Sequence, residues 1–467
     1  MTCRRSSRWL FTILAATILL STSAHGQQLT ASERGSIDSA AKAVLAATGA
    51  PSASIAVVRN GATVYEQAFG EGRIGTPATT AMRYAIGSVS KQFTATAILL
   101  LVEEGKLSLD DKVARWFPAL TRAGDVTVRE LLSMTSGYQD YWPQDYVFTA
   151  MQSPTTAKAI MDHWAAQPLD FEPGSTWQYS NTNYVIAAAI VEKVAGMPFM
   201  DFLRQRIFTP LGMTTVADFD AGPLTSSDAG AYLRNGLGPF RDAPKEAPRW
   251  LFGAGQLAMT AHDLAAWDIA MITQSVMKPA SYRAQQLNFL LTNGTSTGYG
   301  LGINAGMAGS RRRLSHGGAV SGYTTTNLVY PDDKAAIVVF TNIYPGGGGA
   351  SGQIASRVAS IIFAKQDTAD ASALKIARQV YDGLSEGTIN RDLFTPDAND
   401  YFTAEVVADY AASLKRLGEP SEFSATGSSI RGGLRIRGFR IRAGEVTMVL
   451  TMMTRPDGHI EQYIVED

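Results

Sequence analysis

Ser88 and Lys91 stand three residues apart in Ser88-Val-Ser-Lys91, at the head of an apolar run over residues 93–102 that stops at Gly105. The pattern predicts a buried helix with chemistry at its N-terminus, because a three-residue spacing sets both side chains on one helix face. The first turn also offers backbone N–H groups without helical partners and the positive end of the helix dipole. A lysine held there and desolvated by the apolar helix has its charged form disfavoured twice, so it can be neutral at physiological pH and accept the serine proton. The pair is a candidate nucleophile and base. A second S-x-x-K, Ser39 to Lys42, has no apolar helix behind its lysine and no glycine-flanked turn before its serine, and it reads as surface helix.

Two further stretches carry candidate groups. Tyr179-Ser180-Asn181 is the only Y-x-N of the chain and precedes a helix expected over residues 182–195, closed by Gly196. By itself it also fits a core tyrosine beside a helix-capping asparagine. His316-Gly317-Gly318-Ala319 follows a short strand expected at 312–315. His262 opens another helix and reads as a capping or surface residue. The rings of Tyr138, Tyr141, Trp142, Tyr146 and Phe148 fall in a loop-like stretch, and they fit the wall of a substrate cleft as well as the cover of a core edge.

The elements that must hold these groups are legible in outline. A helix is expected at 31–47, then a hairpin of residues 54–59 and 62–69 around Asn60-Gly61, the dipeptide preferred in tight primed turns. Thr127 to Glu130 fits a capping box. Residues 223–250 are punctuated by glycine and proline and weakly periodic, an irregular excursion over a surface or cleft. A second hairpin joins 324–330 to 336–341, and a closing helix is expected at 351–364. A sheet drawn from both ends of this region and enclosing a helical middle makes an α/β sandwich with an inserted helical domain. Past a polar linker at 366–371, residues 372–467 read as a small α+β unit with helices at 372–385 and 403–417. In it, Leu434 to Arg437 and Phe439 to Arg442 alternate, which predicts one apolar and one arginine-rich sheet face.

Composition bounds the partners. The 467 residues are 45% hydrophobic and 18% charged, enough for a large core in two or three domains. A net charge of -1 gives no electrostatic reason to expect nucleic acid or an anionic membrane, and Arg311 to Arg313 read as a solvated strand end. Residues 1–26 have a basic start, an apolar core and a small-residue exit, the form of a secretory signal peptide. A periplasmic or secreted protein, without stable membrane insertion after cleavage, is the expectation. The single cysteine, Cys3, lies in that segment, which excludes disulfides, and no two of the five histidines have the close spacing of a zinc site. No metal and no cofactor are expected.

Taken in order, Ser88-Val-Ser-Lys91, Tyr179-Ser-Asn181 and His316-Gly-Gly318, with Phe-Glu-Pro-Gly174, Leu-Leu-Ser-Met-Thr-Ser-Gly137 and Pro-Leu-Gly-Met213, resemble the superfamily of class C β-lactamases, D-alanyl-D-alanine carboxypeptidases and related esterases. The resemblance covers about residues 31–364. It implies a β-lactamase/transpeptidase-like fold, an antiparallel sheet flanked by helices plus an all-helical domain, within residues 27–365. It also implies that Ser88 forms an acyl-enzyme, Lys91 acts as base and Tyr179 relays the proton to the leaving group. Asn181 would bind the substrate carbonyl and fix Lys91. The N–H groups of Ser88 and Ala319 would form the oxyanion hole beside Gly318, and His316 would face Tyr179. The tail resembles appended domains of the cone-shaped, nuclear-transport-factor-like kind.

One departure narrows the substrate. The lactamase pattern on that strand is Lys-Thr-Gly, whereas here Gly317 lacks the threonine hydroxyl and His316 replaces a fixed charge with a group mostly neutral at pH 7. An exported serine hydrolase acting on a small-molecule or peptide ester or amide is therefore the leading expectation. A β-lactamase or carboxypeptidase is the first alternative, and a non-catalytic scaffold of the same fold the second. The sequence leaves the oligomeric state open.

Overall fold

The computed structural model describes residues 28–144, 146–364 and 368–466. The segment expected to be a signal peptide, 1–26, lies outside the described residues. Helix α1 (Ala31–Thr48) is opened by a capping box between Thr30 and Glu33 and leads into β1 (Ser52–Arg59) and β2 (Ala62–Arg73). Asn60 and Gly61 both take positive φ, 54° and 74°, as the two-residue primed turn between twisted strands requires. After the helical middle the chain returns through β3 (Asn304–Ala308), β4 (Arg311–Val320), β5 (Tyr323–Tyr330) and β6 (Ala335–Thr341). These join β1 and β2 in one antiparallel sheet, ordered β2-β1-β6-β5-β4-β3, with the short strand Thr76–Pro77 beyond β2.

Both faces of that sheet are covered, which is why β1 and β6 are apolar and buried almost throughout rather than alternating. Helix α1 and the closing helix (Ala350–Phe363) seal one face around Ile37, Ile55, Val339 and Ile354. Against the other lies the helix Ala261–Thr273, and on it, through Phe93 and Trp267, packs the helix Ser90–Glu103, in which every residue from Ser90 to Leu101 is buried. A helix apolar all round belongs at the centre of a core, and this one packs against the helix Asn181–Ala195 of the middle region. The result is the sheet-and-helix sandwich with a helical insertion that the sequence predicts.

The tail has its own core. A helix runs over Thr368–Ser385, and a four-stranded antiparallel sheet follows: Glu422–Arg431, Leu434–Ala443, Val446–Thr454 and Ile460–Glu466. Tyr381, Phe402, Phe439, Leu450 and Tyr463 are buried in its core. Two expectations need correction here. The helix begins at Thr368, inside the stretch expected to be a linker, where alanines at 369, 371 and 373 favour helix. The arginine-rich face does not exist as one face. Register with the next strand is unbroken from Arg435 to Ala443, so Arg435 and Arg437 share a face with the buried Phe439 and Ile441, while Arg440 and Arg442 share the other with Leu434 and Ile436. Gly438 is the extra residue that reverses the parity of the two repeats.

Candidate active site

The catalytic candidates meet where the 3-10 turn Gly87–Val89, leading into Ser90–Glu103, abuts β4. Close approach there depends on two glycines. A Cβ on Gly318 would stand 1.9 Å from the Ile86 carbonyl oxygen and 3.3 Å from Ser88 N, and one on Gly87 would stand 2.7 Å from Ala319 N. Gly87 also takes φ of +52°. Bare backbone at both positions lets the amides of Ser88 and Ala319 stand side by side at the mouth of a cleft of about 660 Å³. Ser88, Tyr179, Asn181, His316, Gly318 and Ala319 all line it.

Lys91 is fully buried behind Ser88. Its Nζ lies 3.0 Å from Ser88 Oγ, 2.8 Å from Asn181 Oδ1 and 2.8 Å from the Ala254 carbonyl oxygen. Two of those three partners only accept hydrogen bonds. A neutral lysine therefore gives its two N–H bonds to Asn181 and Ala254, and its lone pair is left facing the Ser88 hydroxyl. Burial pushes Lys91 down to about 7, opposed by the charge of Asp140. Tyr179 flanks the same hydroxyl, with Lys91 Nζ 4.9 Å from its ring centroid. Burial holds the phenol above its ordinary range, a Ser88 hydrogen bond draws it down, and Asp140 adds to the rise. Of the two groups beside Ser88, lysine is the one able to stand unprotonated and accept a proton at neutral pH.

Asn181 is fixed from both sides. Its Oδ1 accepts from Lys91, and its Nδ2 donates to Asp140 Oδ1 and Oδ2 at 3.2 and 3.3 Å. Asp140 also accepts from the backbone N–H groups of Asn181 and Trp142 at 2.9 and 3.2 Å. Burial raises its carboxyl, against these hydrogen bonds and the charge of Lys91. The sequence reading passed over Asp140, although it lies in the aromatic loop already singled out.

His316 stands beside Tyr179 and makes its hydrogen bonds to other groups. Its Nδ1 lies 2.6 Å from the Gly317 carbonyl, which only accepts, so Nδ1 carries the proton and Nε2 receives the Tyr299 hydroxyl at 2.9 Å. Its ring centroid is 6.4 Å from that of Tyr179. Burial and the nearby Lys91 push His316 down to about 4, against the Gly317 bond, so it stays neutral near pH 7. Tyr299, a buried hydrogen-bonding partner, is a second site residue that no motif marks. Elsewhere, Ser39 is exposed and donates to the Gly35 carbonyl at 2.8 Å, and His262 pairs with Glu66 on the surface. Among the described residues no group of three or more His, Cys, Asp or Glu is placed to hold a metal ion, and no helix is long and apolar enough to cross a membrane.

The family model described as Beta-lactamase matches residues 37–358. The chain belongs to the beta-lactamase family. A penicillin-binding protein of Bacillus subtilis (strain 168) is 30% identical over 305 residues, 62% of this chain and 67% of the relative. A D-aminopeptidase of Brucella anthropi is 29% identical over 307 residues, 64% of this chain and 57% of that protein. The chain thus spans about two thirds of the first of these curated relatives and little over half of the second. Among solved structures, the D-amino acid amidase from Ochrobactrum anthropi SV3 complexed with L-phenylalanine superposes with a TM-score of 0.63 at 25% identity, covering 71% of this chain and 99% of that one. The octameric penicillin-binding protein homologue from Pyrococcus abyssi covers 93% of this chain and 99% of its own, with a TM-score of 0.62 at 20% identity, and shares the fold. Within the beta-lactamase family this protein is a serine hydrolase, homologous to D-aminopeptidases and penicillin-binding proteins.

Proposed function

We propose that this serine hydrolase cleaves an amide or ester whose acyl part carries a free α-amino group, through an acyl-enzyme on Ser88. The observation that carries the substrate class is the charge of the cleft. Among the described residues lining it, Asp140 supplies the one carboxylate and no lysine or arginine is present. Asp140 Oδ2 accepts only the long bond from Asn181, so it retains lone pairs for an ammonium group. Such a cation favours the ionised carboxylate that burial disfavours. With His316 neutral and no hydroxyl at Gly317, a substrate carboxylate lacks its partners on the β4 edge.

The chemistry follows from the positions. Neutral Lys91 takes the Ser88 proton as Oγ attacks the carbonyl carbon, and the oxyanion forms between the Ser88 and Ala319 amides, each worth about 3 kcal/mol to the transition state. Tyr179 donates its proton to the leaving nitrogen or oxygen, and the Lys91 ammonium beside it, which holds the proton taken from Ser88, reprotonates the phenolate. Water then repeats the sequence in reverse and releases the acid. Asn181 orients Lys91 and donates to the substrate. The names of the D-aminopeptidase and D-amino acid amidase relatives support an amino-acid amide as the substrate. The signal-like pattern of residues 1–26 supports work outside the cytoplasm.

The test is intact-mass spectrometry and turnover of signal-cleaved protein with amino-acid amides and p-nitrophenyl esters, each with the amino group free or acetylated, and with benzylpenicillin, using Ser88→Ala as control. A Ser88-dependent adduct or turnover that falls about 10-fold or more on acetylation is expected. Equal use of the acetylated substrates, or faster acylation by penicillin, would favour the carboxypeptidase and lactamase alternative.

A further inference from the structure

A second cavity, of about 120 Å³, lies beside the cleft, walled by Trp142, Tyr146, Val147, Leu233, Pro244 and Tyr344. Trp142 and Tyr344 line both spaces, so the two adjoin at these residues. That pair is anchored through its backbone and edges. Trp142 donates its indole N–H to the Tyr146 carbonyl at 3.0 Å and its backbone N–H to Asp140 at 3.2 Å. Tyr344 N donates to the Tyr232 carbonyl, and the Tyr344 carbonyl accepts from Gly322 N, both at 2.9 Å.

The direction of the cavity from the reacting centre is set by β4. Tyr179, which serves the leaving group, sits beside His316 near one end of the cleft edge. Ser321, at the other end, lines the second cavity. It follows Ala319 by two residues, about 7 Å at the rise of an extended strand. An acyl group with its oxygen at the Ala319 amide and its ammonium at Asp140 has its own side chain as the part left to place. The backbone of Trp142 stands beside that point, because its N–H donates to the same carboxylate, and the Trp142 side chain lines both spaces.

We propose that this cavity is the subsite for the side chain of the acyl residue and selects a branched aliphatic group. The inference rests on the acyl-enzyme reading above and adds the identity of the side chain to it. Of its nine lining residues, Trp142, Val147, Leu233, Pro244 and Pro345 offer apolar side chains or a tryptophan face and none is charged, so a hydrocarbon group gains from burial there and a charged one does not. Size sets the upper limit: a dry apolar cavity of about 150 Å³ holds benzene. A space of 120 Å³ takes a valine or leucine side chain and rejects an indole.

The experiment uses glycyl, valyl, leucyl and tryptophyl p-nitroanilides, in both enantiomers for the chiral residues, with kcat/KM and Ser88 acylation followed together. Val147 and Leu233 line the second cavity and not the cleft, so they are the positions to alter. The expected preference of the native protein is leucyl over glycyl by about 10- to 100-fold, with tryptophyl below leucyl. Val147→Trp fills the space and brings the leucyl-to-glycyl ratio close to one. Leu233→Ala enlarges it and raises tryptophyl relative to leucyl. Reading ratios within each variant separates the subsite from a loss of folded protein, and opposite changes from the two variants exclude a general defect. A native ratio near one with Ser88 still acylated, or a preference unchanged in Val147→Trp, overturns the subsite and leaves the acyl-enzyme reading intact. No acylation of Ser88 by any of these substrates overturns both.

Discussion

The chain contains the S-x-x-K pattern four times, and two of the copies, Ser39 to Lys42 and Ser88 to Lys91, fold into helices with opposite outcomes. Ser39 and Lys42 lie on the exposed face of α1, where the Ser39 hydroxyl donates back to the Gly35 carbonyl. Ser88 and Lys91 lie at the start of a fully buried helix, where Lys91 touches two obligate acceptors and one hydroxyl. The spacing delivers the same helix face in both. What differs is the surroundings, because only the second lysine is stripped of water and supplied with partners that use its N–H bonds without neutralising a charge. S-x-x-K is therefore a geometric condition, and chemistry begins when a core is built around it.

Breaking the buried copy should have the largest effect. Ser88→Ala is expected to reduce kcat with an amino-acid ester by about 10⁴- to 10⁶-fold, and Lys91→Met by at least about 10³-fold. Ser39→Ala and Lys42→Met should stay within about twofold of the native rate, since neither position touches the cleft. Steady-state turnover of all four variants settles the comparison. A substantial loss in Lys42→Met would mean that the exposed motif takes part.

The next effect in size concerns the backbone that faces Ser88. Gly318→Ala forces a Cβ to within 1.9 Å of the Ile86 carbonyl oxygen, so β4 must move away from the 3-10 turn and carry the Ala319 amide with it. Loss of about 10²- to 10³-fold in kcat is expected, the size of one missing oxyanion donor. Gly317→Ala is the control, since its Cβ would find nothing closer than the Thr325 carbonyl oxygen at 3.8 Å. Comparable losses in both would show that the strand edge is sensitive for some other reason.

The three motif sites and the sandwich around them were legible because each depends on local pattern: helix spacing, a primed turn, a strand followed by glycines. Asp140 and Tyr299 were not, because what makes them matter is a contact across 41 and 17 residues of sequence, respectively. No periodicity points to a buried carboxylate that supports Asn181 or a phenol that fixes a histidine tautomer. The reading of the tail failed for a different reason. Strand alternation has a period of two, and the single residue Gly438 between two arginine repeats was enough to exchange their faces. The first tail strand, Glu422–Arg431, is rich in serine and glycine and has no alternation to read.

Lys91 also lets the comparison be tested through stability. Its folded pKa of about 7 lies below the ordinary lysine value of 10.5, so between these limits the unfolded chain binds more protons and stability rises with pH. Below that window the full cost of the buried cation is present. Lys91→Met removes the titration while leaving Asn181 and Ala254 short of a donor, a cost that does not vary with pH. The difference in Tm between variant and native protein should therefore move in favour of the variant by at least about 3 °C as pH falls from 10 to 6. Lys42→Met should show no such trend, and a flat difference for Lys91→Met would mean that its lysine is not desolvated as the structure has it.

The smallest expected change isolates the electrostatics of the cleft. With Lys91 as the proposed proton acceptor in acylation, kcat/KM for an ester lacking an amino group should rise with pH through an inflection near 7. The charge of Asp140 raises Lys91 against the dominant lowering by burial. Asp140→Asn removes that charge and keeps an oxygen to accept from the Asn181 and Trp142 amides, so the inflection should fall by about half to one pH unit. With a substrate that carries a free ammonium the same variant should also lose binding, seen as a higher KM, whereas the acetylated analogue should show the inflection shift alone. An inflection that does not move would mean that Asp140 is uncharged in the free enzyme and acts on Lys91 only through the orientation of Asn181. The two substrates together thus separate what the carboxylate does for the base from what it does for the substrate.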